Sequence, residues 1–274
     1  MNAKQANITI PVDLTNPGQF FACCGLLELA DRLWPGAEGW FGRKEFCILT
    51  VDGTKTLSEL LSEARSTIFD VGDDSGSEDD DDKDDDLLVE PIHLEWKNGK
   101  LAIHLDWWSE KSLKPWAGRM DVRVIFKALL DGIDPLNARP FEDLKVAYFT
   151  PAGKKKPKKR EPFYFDPRRG NKSHPLDSGF SPDTQELLSD CCPALEALCF
   201  IGLQRARPAS TGIANQSRYT VWTQPLPANL VNAVVCGIVS IPGSFNYTFN
   251  NYFRTDQRKH KTFSQATLER NKHV

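Results

Sequence analysis

This chain has no stretch approaching the roughly 18 to 20 apolar residues that a membrane-spanning helix requires. Its opening, MNAKQANITIPVDL, lacks the basic-then-apolar layout of a secretory signal. These two absences predict a cytoplasmic protein with no membrane partner. Catalytic and cofactor signatures are missing as well: there is no GxxxxGK[ST] phosphate loop, no GxSxG elbow, no HExxH and no GxGxxG after a strand. No cofactor is therefore expected. The seven cysteines show no CxxC or Cys/His ligand spacing. Cys23 and Cys24 are neighbours, as are Cys191 and Cys192, and adjacent cysteines rarely bridge each other. They are predicted to be reduced, buried, small hydrophobes that bind no metal.

What the chain does have is enough apolar material for a core, 40% hydrophobic over 274 residues, and a hidden separation of charge. The formal net charge is only -3, yet DVGDDSGSEDDDDKDDD, residues 70–86, sets eleven acids against one lysine and leaves the remainder of the chain net positive. Such a run repels itself and has nothing to bury, so it is predicted to be an acidic, disordered surface loop. It separates an N-terminal α+β part, residues 1–69, from a second α+β part, residues 87–274, that carries the basic segments. A sharper reading makes it an acidic mimic of nucleic acid that covers a basic groove, in which case deleting residues 73–86 raises salt-dependent nucleic-acid affinity.

Periodicity predicts the α+β class. NITIPVDL alternates as a strand, and NPGQFFACCGLLELADRLW follows as an amphipathic helix with Phe20, Cys24, Leu27, Ala30 and Leu33 on one face. FGRKEFCILTV reads as a second strand and KTLSELLSEARSTI as a short helix. PIHLEWKNGKLAIHLDWW reads as a hairpin about Asn98-Gly99. A helix in AGRMDVRVIFKALLDGI and a strand in DLKVAYFT come next, then a long helix through SPDTQELLSDCCPALEALCFIGLQRA that Pro193 interrupts. RYTVWTQPL and FNYTFNNYF complete the strands around a helix in PANLVNAVVCGIV. Mixed strands and helices with an opening strand-helix-strand unit suit a ferredoxin-like start followed by a helical C-terminal half.

The richest chemistry lies in KKKPKKREPFYFDPRRG, residues 154–170. Lys154, Lys155, Lys156, Lys158, Lys159 and Arg160, held extended by Pro157, form a strip suited to phosphates without reading sequence. Phe163, Tyr164 and Phe165 follow; on an alternating strand one or two of them share a side with Arg168 and Arg169 and can stack on unpaired bases. A nuclear-localisation signal and an ordinary solvated loop are the competing readings of the strip. Two further clusters favour a shared groove: Arg205, Arg207 and Arg218 around a small polar loop, and Arg254, Arg258, Lys259, His260 and Lys261 after the last strand. Arg205 and Arg207 leave the end of an apolar helix, so bidentate recognition of phosphate or guanine is expected of them, unless they pair with acids of the same chain. Trp107, Trp108 and Trp116, set among Lys111, Lys114 and Arg119, mark a core or a subunit interface.

Taken in order, IPVDLTNPGQFFACCGLLELADRL, HLDWW with LKPWAGRMD, FDPRRG with LDSGFSPD, and IGLQRARP with FRTDQRKHKTF resemble the small subtype-specific proteins of type I CRISPR-Cas systems of subtype U, also called G. The resemblance spans nearly the whole chain except the acidic insertion, which departs from the family pattern. It implies antiviral defence and a place in, or beside, an RNA-guided complex that finds double-stranded DNA. There the chain would resemble a reduced large subunit, with guide RNA, target DNA and other effector subunits as partners. Some relatives in such operons are instead repeat-associated RNA-binding proteins of ferredoxin-like fold. No catalytic residue comes with the resemblance. A metal-independent ribonuclease that trims the guide precursor remains the alternative, with His104 or His260 as general base toward a ribose 2′-hydroxyl.

Overall fold

The computed structural model describes residues 5–71, 91–97, 99–103, 122–150, 156–169, 190–254 and 259–269, with the backbone alone at 253–254 and 259–261. The acidic run beyond Val71, His104, His174, His273, the tryptophans at 107, 108 and 116, Lys154, Lys155 and Arg258 lie outside the described residues.

The chain opens with β1 (Ile8–Pro11), α1 (Pro17–Leu33), β2 (Glu38–Phe41) and β3 (Glu45–Leu49). Asn16 begins α1: its side-chain oxygen accepts from the Gln19 amide, and Pro17 needs no donor at the first helical position. β3 lies between β1 and β2 and is antiparallel to both, so β1 and β2 run the same way with α1 crossing between them. The strand-helix-strand opening expected from the sequence is present, split by β3. The strand expected over FGRKEFCILTV starts only at Glu45, because β2 and β3 form a hairpin around Gly42 to Lys44. A ferredoxin-like sheet would continue beside β1. Here the fourth position is filled on the other side, where Leu226–Pro227 pairs with β2.

α2 (Leu57–Arg65) starts with a reciprocal cap: Thr56 Oγ1 accepts from the Glu59 amide and the Glu59 carboxylate accepts from the Thr56 amide. β4 (Ile92–Trp96) and β5 (Gly99–Ile103) form the expected hairpin, with Gly99 already paired to Trp96. Trp96 Nε1 donates to Thr67 Oγ1 at 2.6 Å, and Ile68 exchanges two backbone hydrogen bonds with Glu95, which ties the hairpin to the end of α2. α3 (Val122–Gly132) and β6 (Lys145–Phe149) follow as expected, and β6 lies between β7 (Lys158–Arg160) and β8 (Asp190–Cys191). α4 (Pro193–Arg205) starts at Pro193, with the strand β8 just before it. The proline expected to interrupt a longer helix is its first residue, where its missing N–H costs nothing.

The C-terminal half carries α4 and α5 (Ala228–Val235) among strands. β9 (Ala209–Ser210), β10 (Gln216–Val221), β11 (Leu226–Pro227), β12 (Phe245–Arg254), β13 (Lys259–Phe263) and β14 (Thr267–Leu268) complete the order. A sheet runs β13-β12-β10-β9, with β14 also on β12, and every strand pairing among the described residues is antiparallel.

α1 was expected to be amphipathic, but it buries every residue except Asp31 and Arg32. The reason is that it is covered on several sides: α4 lies along it, and the aromatic faces of two sheets close over it. Phe20 stacks on Tyr219 of β10 at 4.2 Å and on Phe41 of β2 at 5.1 Å. Trp222 Nε1 donates to Gly39 O and Tyr219 Oη to Leu14 O, both at 2.7 Å, so these large rings are buried with their polar atoms satisfied. α1 and α4 run in the same direction, with Gly18 against Leu195 near their starts and Arg205 on Glu28 near their ends. At the crossing the backbones touch: a Cβ on Gly25 would lie 2.0 Å from Leu198 O, and one on Gly202 1.8 Å from Phe21 O.

Candidate nucleic-acid interface

The strip after β6 is only partly as expected. β7 is extended, with Lys158 opposite Phe149 and Arg160 opposite Ala147. Lys156 and Lys158 are exposed. Lys159 is drawn onto Glu161 at 2.8 Å, and the Arg160 guanidinium lies 5.8 Å from the centre of the Phe149 ring. Of the described cations of the strip, Lys156 and Lys158 are exposed, whereas Lys159 and Arg160 are half-buried against the fold.

The aromatics that follow are a correction. Phe163, Tyr164 and Phe165 are all at most 2% exposed and do not form a strand. Tyr164 takes φ 60, a left-handed conformation that breaks the two-residue alternation and lets three consecutive rings turn inward. Phe163 stacks on Phe200 of α4, Phe165 stacks on Phe263 of β13, and Tyr164 Oη donates to Glu161 at 2.5 Å. Tyr164 is not available to stack on a base.

Arg168 and Arg169 are likewise not displayed beside those rings. Arg168 Nη2 donates to Asp166 Oδ2 at 2.6 Å and to Phe141 O at 2.7 Å, while Arg169 pairs with Asp190 at 3.5 Å. Asp166 is fully buried and also accepts from Asn16 Nδ2 at 2.9 Å, so one asparagine caps α1 and holds this loop. Beside it Glu196 of α4, also fully buried, accepts from the amides of Phe165 and Asp166 at 3.2 Å. Burial first, and the neighbouring Asp166 charge second, push the Glu196 carboxyl up to about 8, against the pull of those backbone amides. Sequence reasoning missed this centre. Its signal was a single acid inside the apolar run PALEALCFIGL and an Asp-Pro-Arg-Arg step after the aromatics.

Of the second cluster, Arg205 donates its Nε to Glu28 Oε1 at 3.0 Å, an oxygen that Arg32 Nε also reaches at 3.0 Å. The pairing with an acid of the same chain is therefore realised for Arg205. Arg218 on β10 lies 3.9 Å from Glu269. Arg207 is exposed, and its guanidinium enters no ion pair among the described residues. Its backbone amide donates to Asn232 Oδ1 of α5 at 3.0 Å, which fixes the chain as it leaves α4. Arg207 borders a cleft of about 470 Å³ between the loop 211–215 and β12. In the third cluster Arg254 and Lys259 are register partners at the ends of β12 and β13, and Lys261 is on β13.

These placements link the segments that carry the clusters. Arg218, Arg254, Lys259 and Lys261 lie on strands of one sheet, since β10 and β13 flank β12. Thr262 Oγ1 donates to Tyr164 O at 3.1 Å and so ties the segment leading out of β7 to the strand that carries Lys259 and Lys261. Only Glu161, Pro162 and Phe163 separate Arg160 from that bond. Comparison with protein-family models, with curated proteins and with solved structures returns no match for this chain.

Proposed function

We propose that this chain is a non-catalytic nucleic-acid-binding subunit or accessory of a type I CRISPR RNA-guided DNA-targeting complex. The observation that carries the binding half of this reading is the tie between Thr262 and Tyr164, which joins the basic strip of β7 to the basic hairpin β12–β13 and, through β12, to Arg218. Cations on linked segments about a hundred residues apart fit a phosphate backbone, whereas a targeting signal needs one segment only. The effector half rests on the family resemblance of its short motifs. Such complexes leave sequence reading to base pairing and ask their protein parts mainly for positive surfaces.

The test is binding of single-stranded repeat RNA, its 2′-deoxy counterpart and duplex DNA by fluorescence anisotropy across a salt series. Lys156→Ala with Lys158→Ala is expected to weaken all of them uniformly and to lower the slope of log affinity against log salt by about 1 to 2, one released counterion per lost phosphate contact. Unchanged slopes would remove the strip from the interface. Cleavage confined to the ribose substrate would instead favour the ribonuclease. Arg205→Met is expected to leave affinity unchanged and to cost about 1 kcal/mol of stability or less, as for a half-exposed ion pair.

A further inference from the structure

We propose that the cleft beside Arg207 is a pocket for one unstacked nucleotide, with its phosphate on the Arg207 guanidinium and its base between Pro208 and Ile213 against the carboxamides of Asn215 and Gln216. The proposal rests on the nucleic-acid reading above and adds a specific seat to it. A volume of about 470 Å³ falls within the roughly 300 to 1,000 Å³ of small-ligand clefts. The lining holds a guanidinium and no carboxylate, so its electrostatics favour an anion. A planar guanidinium offers phosphate paired donors, which an ammonium cannot. Carboxamides carry both a donor and an acceptor and so match the edge of a base rather than a simple inorganic anion.

The apolar walls support the same occupant. Ile213 is 62% exposed at the tip of its loop, where it contributes nothing to the core, and with Pro208 it offers the flat apolar contact a base needs once it leaves its stack. The loop is also held in place before any ligand arrives. Gly212 takes φ 80 and Asn215 φ 61, and a left-handed asparagine costs on the order of 1 kcal/mol unless its surroundings hold it. Here they do: Asn215 O accepts from the Asn251 amide at 2.8 Å, the Gln216 amide donates to Ile213 O at 3.1 Å, and Thr211 Oγ1 donates to Gln216 O at 3.2 Å. Such a preorganised loop loses little freedom on binding. Asn251 also lies three residues before Arg254 on β12, about 10 Å along the strand, so a backbone tracking the basic hairpin passes the cleft.

The experiment uses the full chain with single-stranded pyrimidine oligonucleotides, in RNA and DNA forms, that carry one 2-aminopurine, reading anisotropy and 2-aminopurine emission together. Emission is expected to rise severalfold as the base leaves its stack. Ile213→Ser and Gln216→Ala should abolish that rise while changing total affinity little, and Arg207→Met should weaken binding roughly tenfold, as for one charge-assisted contact. Arg207 and Ile213 are exposed and Gln216 is half-buried at the end of β10, so the variants are expected to keep the parent melting temperature, which is measured alongside. Anisotropy without an emission rise, or a rise untouched by Ile213→Ser and Gln216→Ala, overturns the pocket and leaves the nucleic-acid reading standing. Absence of any anisotropy change at low salt overturns both.

Discussion

Gly202→Ala is expected to melt about 10 °C or more below the parent chain, or to be recovered only as insoluble protein. The sign is informative, because replacing glycine by alanine inside a helix ordinarily gains about 1 kcal/mol. Here the added Cβ would lie 1.8 Å from Phe21 O and 2.9 Å from Gly25 N. Both atoms are backbone, so no side chain can rotate away and α1 and α4 must move apart. Buried side chains at the contact, such as Leu195 against Gly18, lose packing as the helices separate. Overpacking of this kind costs about 3 kcal/mol or more, which outweighs the helix-propensity gain and corresponds to the stated shift for a chain of this size. Gly53→Ala provides the comparison. That glycine has φ 65 and nothing within 4 Å of the added atom, so only the backbone penalty of about 1 kcal/mol applies. A Gly202→Ala protein that melts within a degree or two of the parent would show that the helices are not in contact at this crossing.

The second large effect is on stability against pH. Glu196 has its folded value pushed up to about 8 from the ordinary 4.5, chiefly by burial and then by Asp166. A carboxyl raised in this way is protonated in the folded chain where the unfolded chain is ionised. Its contribution is complete below about 4.5, falls as pH rises and is lost above about 8, at a slope near 1.4 kcal/mol per pH unit and a total on the order of 5 kcal/mol. The thiols packed near it do not duplicate this behaviour. Cys192 is pushed up to about 12 by burial, and Cys191 and Cys199 are raised well above the ordinary thiol value, so none of these thiols ionises in the window. Glu196→Gln keeps the shape and removes the titration. Urea unfolding between pH 5 and 8 is expected to show the parent losing stability relative to the variant at about that slope. Parallel curves would mean that the carboxylate is accommodated ionised by the amides of Phe165 and Asp166.

Glu196, Asp166 and Gly202 share a property that explains how far the sequence could be read. The α+β class, the short helix α2, the β4–β5 hairpin, α3 and the long strand β12 follow from periodicity and local chemistry, which act over a few residues. So does the presence of basic segments, because lysines and arginines at that density cannot be buried. Periodicity reports which faces of an element are apolar. It does not report what covers them, and α1, with one apolar stripe expected, proved to be covered on nearly every side.

Tertiary structure alone decided the direction of Phe163, Tyr164 and Phe165, because one left-handed residue undoes an alternation that local pattern assumes to continue. It decided which arginines are committed to the fold: Arg205 meets an acid far away in sequence, in Glu28, and Arg168 meets a neighbour that only burial makes into a clamp. It also decided that β10 and β13 flank β12 in one sheet and that the segment leading out of β7 is tied to β13 at Thr262. Charge pairing and burial depend on contacts between segments remote in the chain, so the same arginine reads identically in sequence whether it faces solvent, as Arg207 does, or anchors a helix, as Arg205 does.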